Sequence, residues 1–233
     1  MLLLAACAPS IPSQFGTPSV TETQEATPSP TPIPMSEFFP GVEALFQTGF
    51  DDQPAVQDTW SATNTSFQDG MAVVNANPDW TGIFTEYQWE SGDTLLWRFR
   101  FATKSQANIS VTAGEWQTAS FRQWGILNNY GYIMPQFWEG DRYLLLGWQE
   151  GSGELQPNHW YVLLIHIGSP DEAFVVRIWD QEAPEDFVET RQTFDDPGWA
   201  NMPWNASAIN GPTGELDIDQ FEVIQGLPDF NVP

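Results

Sequence analysis

The sequence predicts an all-β protein built as two stacked antiparallel sheets. Period-2 apolar runs recur from Phe38 to about Gly226, turn signals separate them, and no stretch keeps 3.6-residue apolar spacing for longer than a turn. About eleven short strands without intervening helices in about 190 residues are the pattern of a two-sheet sandwich. No fixed-period repeat occurs, which excludes a propeller or solenoid.

The first expected strand covers 45–50, and the turn Gln68-Asp69-Gly70 introduces a second at 71–75, with a third at 83–87. After Ser91-Gly92-Asp93 comes the clearest alternation, 95–101: Trp97, Phe99 and Phe101 face one way, Arg98 and Arg100 the other. Strands at 108–112 and 116–124 follow, then 130–137 after Asn128-Asn129 and 143–148 after Glu139-Gly140-Asp141. The last three are 160–167 after Gly151-Ser152-Gly153, 174–179 after Gly168-Ser169-Pro170, and 216–224 after Asn210-Gly211-Pro212.

Three stretches carry a family resemblance. Leu45-Phe46-Gln47-Thr48-Gly49-Phe50-Asp51-Asp52 precedes Trp60, Asn158-His159-Trp160-Tyr161-Val162-Leu163-Leu164-Ile165 leads to Arg177-Ile178-Trp179-Asp180, and Gly214-Glu215-Leu216-Asp217-Ile218-Asp219-Gln220-Phe221-Glu222-Val223 closes the domain. Over about 44–225 the chain resembles the concanavalin A-like lectin/glucanase superfamily, the laminin-G-like jelly rolls. The resemblance implies an antiparallel jelly-roll β-sandwich whose last strand lies beside its first. The superfamily holds sugar-binding modules, glycosidases and adhesion domains, so fold alone selects no function.

The chain has 233 residues, with seven Lys+Arg against 31 Asp+Glu, a net charge of −24. That excludes an ordinary nucleic-acid or anionic-membrane surface, which needs cations to displace counterions. Aromatic residues make up 14%, too many for an acidic disordered chain. A single cysteine excludes an internal disulfide framework and a four-thiolate zinc site.

That cysteine ends Leu4-Ala5-Ala6-Cys7, which resembles the lipobox of a bacterial lipoprotein signal. The resemblance implies acylation of Cys7, a lipid anchor in the membrane and an extracytoplasmic, cell-surface location. No Lys or Arg precedes the short apolar run, so the full signal is expected to begin upstream. Residues 8–36 hold seven Pro, five Thr and five Ser, and Thr27-Pro28-Ser29-Pro30-Thr31-Pro32-Ile33-Pro34 favours a semi-rigid polyproline II tether. The expected organisation is a signal remnant at 1–7, a disordered Pro/Thr/Ser-rich tether at 8–36 and the sandwich at 37–233.

Twelve tryptophans exceed what one sandwich core absorbs. Rings stack on the C–H faces of sugars while polar side chains bond the hydroxyls. Trp116, Thr118, Ser120, Arg122 and Trp124 share one expected face, and Tyr130, Tyr132, Met134, Gln136 and Trp138 form a similar set. With Arg98, Arg100, Arg177 and Trp179 they make a candidate surface for a polysaccharide or oligosaccharide. Trp199 and Trp204 cap one end of the sandwich or gate a ligand. The net charge favours a neutral ligand, although five of the seven basic residues fall between 98 and 142 and leave a positive patch open. No cofactor is required for binding of this kind.

The enzymatic alternative rests on Glu215, Asp217 and Asp219, which resemble the Glu-x-Asp-x-Glu strand of laminarinase-type glucanases. The resemblance implies a nucleophile, an assisting Asp and an acid/base. Asp219 stands where that pattern has Glu, and positions 215 and 219 lie ~13 Å apart on a regular strand, against the ~5–5.5 Å of a retaining pair. The same strand, beside Asp51 and Asp52, is a candidate calcium site formed with Asp217 and Asp219. Of the two histidines, His166 reads as a satisfied core residue and His159 as a turn residue. No Gly-x-Ser-x-Gly, His-Glu-x-x-His or Walker-type loop is present. The expected function is non-catalytic carbohydrate binding; the alternatives are a glycoside hydrolase and a structural or adhesion domain that binds protein.

Overall fold

The computed structural model describes residues 35–50, 59–76, 79–85, 87–102, 106–116, 118–129, 132–140, 142–146, 155–169, 171–199 and 202–229. Among these the strands are β1 (Ala44–Gly49), β2 (Trp60–Ala62), β3 (Thr65–Gln68), β4 (Met71–Asn75) and β5 (Thr81–Thr85). Next come β6 (Asp93–Phe101), β7 (Gln106–Ala113), β8 (Arg122–Asn129), β9 (Tyr132–Glu139) and β10 (Arg142–Leu145). The last five are β11 (Tyr161–His166), β12 (Phe174–Asp180), β13 (Ala183–Gln192), β14 (Asn205–Asn210) and β15 (Glu215–Gln225).

They form two antiparallel sheets. The back sheet runs β13-β12-β11-β6-β15-β4-β3, with β1 also paired to β15; the front sheet runs β10-β9-β8-β7-β14-β5-β2. The first strand therefore lies beside the last, with Gly49 opposite Gln220 and Phe46 opposite Val223. β2, β3, β13 and β14 were not among the expected strands. β13 is a sheet-edge strand with mostly half-exposed or exposed positions, so its sequence lacks an apolar alternation.

Alternation builds the core. Leu95, Trp97, Phe99 and Phe101 of β6 point inward, against Ile109 and Val111 of β7 and Trp124 and Ile126 of β8. On β15 the inward set is Leu216 and Ile218, then Phe221 and Val223. The switch from even to odd numbers occurs at a bulge, where the register shifts between Ile218 and Gln220 and Asp219 is the extra residue. Phe221 thereby meets Trp97 at 4.5 Å and Trp60 at 5.1 Å.

The outer side of the back sheet carries a second apolar layer of Leu96, Val162, Leu164, Val175, Trp179 and Ile224. A turn of 3-10 helix at Met35–Phe38 and the following Phe39 cover it, with Phe38 and Phe39 edge-on to Trp179. The carboxylate of Glu222, fully buried beneath, accepts the backbone N–H of Met35 at 3.0 Å and the side-chain amides of Gln47 and Gln220. Met35 thus belongs to the folded unit, although composition places it in the tether.

His166 is fully buried in β11. Thr94 Oγ1 donates to the Gly226 carbonyl at 2.6 Å, so His166 Nδ1, 2.8 Å from the same oxygen, carries the ring proton. Nε2 faces Glu172 at 3.3 Å. Burial pushes the imidazole below its ordinary 6.5, with Arg191 acting the same way and Glu172 and Asp93 opposing. The unfolded chain takes up this proton more readily than the folded one, so the contribution to stability is present above 6.5 and lost as pH falls below it. Melting temperatures are expected to drop between about pH 7 and pH 5, and His166→Gln to flatten that part of the curve.

Candidate functional site

The outward positions of the front sheet follow from its register. Phe84 stands opposite Ser207, Ser207 opposite Ser110, Ser110 opposite Gly125, and Gly125 opposite Gln136. Ile209, Asn108 and Leu127 form the adjoining row; Gln123 and Trp138 pair on the other side. These side chains point away from the core because their neighbours Ile83, Ala208, Ile109, Trp124 and Phe137 point into it.

Asn108, Gln123, Leu127, Gln136 and Ile209 floor a groove of about 740 Å³, with Trp80 and Phe84 toward one edge and Trp116 and Trp138 toward the other. At Gly125 a Cβ would run into the Ile109 carbonyl and Ser110, so the close approach of β7 and β8 requires glycine there. Trp116 and Trp138 pack at 5.1 Å, and Phe121 supports Trp116 edge-on at 4.8 Å. Trp80, Phe84 and Trp116 remain 48%, 39% and 54% exposed.

The floor is uncharged, with the amides Asn108, Gln123 and Gln136 set beside the apolar Leu127 and Ile209. Gln123 Nε2 donates to Asn108 Oδ1 at 3.1 Å and to Ser110 Oγ at 2.8 Å, and Ser110 and Ser207 lie 3.4 Å apart. No described residue lining the groove is Asp, Glu, Lys, Arg or His.

No family model matches the chain, and no curated protein matches its sequence. Solved structures match its fold. A structure reported with endo-acting O-glycanases, expressed by members of the human gut microbiota to initiate mucin breakdown, superposes with a TM-score of 0.58 at 13% identity over 78% of this chain and 99% of that one. A xylan β-1,4-xylosidase from Bacillus halodurans C-125 gives 0.59 at 11% identity over 77% of this chain and 39% of that one. A Bacillus subtilis protein of unknown function with a galectin-like fold gives 0.56 at 10% identity over 78% and 96%. The chain has the fold of an antiparallel jelly-roll β-sandwich.

The jelly roll divides the expected sugar-facing residues between its faces. Trp116, Trp138 and Gln136 line the groove, and Tyr132, 59% exposed, follows on the same face of β9. Trp124 and Arg122 point the other way, which corrects the expected face. Trp124 is fully buried beside Phe174 and Phe194. Arg122 bonds the carbonyls of Ala119 and Phe121 and pairs with Asp196 at 2.5 Å. The turn bonds Thr118 N–H to Glu115 O and Phe121 N–H to Thr118 O break the chain between Trp116 and β8, so period-2 counting across them loses its phase. Tyr130 lies outside the described residues.

Arg98, Arg100, Arg177 and Trp179 are corrected as well, since all four lie on the outer side of the back sheet. Arg98 pairs with Asp219, Arg100 with Asp217 at 2.7 Å, and Arg177 with Glu189 at 2.5 Å. Trp179 is sealed beneath Phe38 and Phe39. Arg142 and Arg191 pair with Glu139 and Glu189. Every described arginine therefore faces a carboxylate, and the clustering at 98–142 forms no positive patch among the described residues. Trp199 and Trp204 are buried in the main core cluster, with Trp199 stacked on Phe194 at 3.7 Å.

The acidic strand also lies at the back. Asp217, 2% exposed, and Asp219 are counterions of Arg100 and Arg98, and the Asp219 bulge breaks the alternation that a Glu-x-Asp-x-Glu face needs. The Glu215 carboxyl is raised above its ordinary value by burial and by Asp217. Glu215, Asp217 and Asp219 therefore lie on the sheet opposite the groove, and Asp217 and Asp219 are held in ion pairs. Asp51 and Asp52, the other half of the candidate calcium set, lie outside the described residues, as does Cys7. No group of three or more Asp, Glu, His or Cys side chains suited to a metal occurs among the described residues.

The residues that sequence reasoning missed are Trp80, Phe84, Asn108, Gln123, Leu127 and Ile209. Asn108, Ser110 and Thr112 on alternate positions were a readable signal of a polar strand face. Joining them to Gln123 required the strand register.

Proposed function

We propose that this chain is a non-catalytic carbohydrate-binding domain whose ligand lies in the front-sheet groove. The observation that carries the reading is a large groove with exposed rings at both edges and uncharged amides among apolar residues on its floor, in a protein of net charge −24. Rings provide stacking surfaces, and Asn, Gln and Ser provide hydrogen bonds to hydroxyls without the desolvation cost of a charge. The domain is carried at the cell surface on the Pro/Thr/Ser-rich tether, anchored through acylated Cys7.

A second reading, glycoside hydrolase, draws support from the O-glycanase and xylosidase that share the fold. It needs two carboxyls about the scissile bond, and the described groove residues supply none.

A glycan array probed with the full chain, followed by overnight incubation of each ligand with protein, separates the readings. Binding without release of reducing ends is expected. Hydrolysis that vanishes in Glu215→Gln establishes the enzyme instead, and an array with neither binding nor cleavage favours a protein-binding adhesion domain.

A further inference from the structure

Taking the carbohydrate reading as its basis, we propose that the groove selects a neutral glycan segment of about four sugar units laid across the strands. Two ring platforms hold its ends, and an amide pair fixed between them reads neighbouring hydroxyls. The platforms are far apart. Phe84, with Trp80 just before the same strand, belongs to β5, and Trp138 to β9, which carries the Trp116 ring. The order β9-β8-β7-β14-β5 puts four strand steps between them, about 19 Å at about 4.8 Å per step. A pyranose in an extended chain advances by roughly one such step, so a disaccharide reaches one platform and a segment of about four units spans both.

The floor between the platforms has a fixed polarity. Both protons of Gln123 Nε2 are committed, to Asn108 Oδ1 and Ser110 Oγ, which leaves Gln123 Oε1 as an acceptor. Asn108 Oδ1 is occupied by the same bond, which leaves Asn108 Nδ2 as a donor. Both side chains are more than nine-tenths buried, so little freedom is lost when a ligand arrives. Adjacent sugar hydroxyls, one donating and one accepting, match that pair.

The same feature weighs against a proline-rich peptide, the other ligand that aromatic grooves take. Proline has no N–H, so such a peptide brings few donors to Gln123 Oε1. Uronate or sulfated chains find no cation in the described groove and meet the field of an acidic body.

The test is calorimetry on the full chain with gluco-, xylo-, galacto- and manno-oligosaccharide ladders from disaccharide to hexasaccharide, a uronate ladder, and a peptide of residues 24–36. Affinity for one neutral ladder is expected to rise about tenfold or more from disaccharide to tetrasaccharide and then level off. Trp80→Ala is expected to weaken hexasaccharide binding about tenfold or more and to remove the gain from disaccharide to tetrasaccharide. Affinity independent of length, or a silent Trp80→Ala, overturns the two-platform proposal and leaves the carbohydrate reading standing. Tighter binding of the uronate ladder overturns the neutral selectivity alone. Binding of the peptide in place of every sugar, or of no ladder at all, removes the carbohydrate reading and this proposal together.

Discussion

The double variant Trp116→Ala, Trp138→Ala is expected to lose glycan binding while keeping its fold. Each ring offers a sugar face an apolar contact worth about 1–2 kcal/mol, so removing both should weaken binding roughly a hundredfold. Trp116 is 54% exposed and neither residue belongs to the main core cluster, so melting is expected to change little. Side-by-side calorimetry and thermal unfolding check both halves. Unchanged affinity in a folded variant would place the ligand elsewhere.

Trp124→Ala should behave in the opposite way. Trp124 is two positions from Arg122 and eight from Trp116, yet its ring is fully buried against Phe174 and Phe194 in the middle of the sandwich. Truncation removes a large apolar surface and leaves a cavity that two rigid sheets close only partly, a loss of about 3–5 kcal/mol. For a domain of this size that corresponds to a fall of about 10 °C in melting temperature. Glycan affinity, measured below the transition, is expected to remain close to that of the parent chain. A variant that keeps its stability and loses binding would mean that the ring faces the ligand and that the front sheet is assigned the wrong way round.

This contrast marks where the sequence was legible. Alternation in Leu95-Leu96-Trp97-Arg98-Phe99-Arg100-Phe101 gave the central strand and its inward face, because an uninterrupted strand keeps its phase. The pairing of the first strand with the last was readable from the closing motif. The face of Tyr132, Gln136 and Trp138 was also assigned correctly, since β9 runs unbroken through them. Trp116 and Trp124 were placed on one face because a turn between them was read as strand. Arginines that looked like sugar contacts were drawn into ion pairs with carboxylates distant in sequence, Arg98 with Asp219 and Arg100 with Asp217. Pairings across 117 or more positions depend on strand order, which local pattern does not encode. The bulge at Asp219 is of the same kind: without the partner strand, nothing marks it as the extra residue.

The most direct measurement is an indole and side-chain amide NMR titration of the full chain with the neutral oligosaccharide it binds best. The indole N–H signals of Trp80, Trp116 and Trp138 and the amides of Asn108 and Gln123 are predicted to shift, while those of Trp124, Trp160 and Trp179 stay in place. Shifts confined to Trp160, Trp179 and the arginine signals of the back sheet would contradict the groove as the binding site.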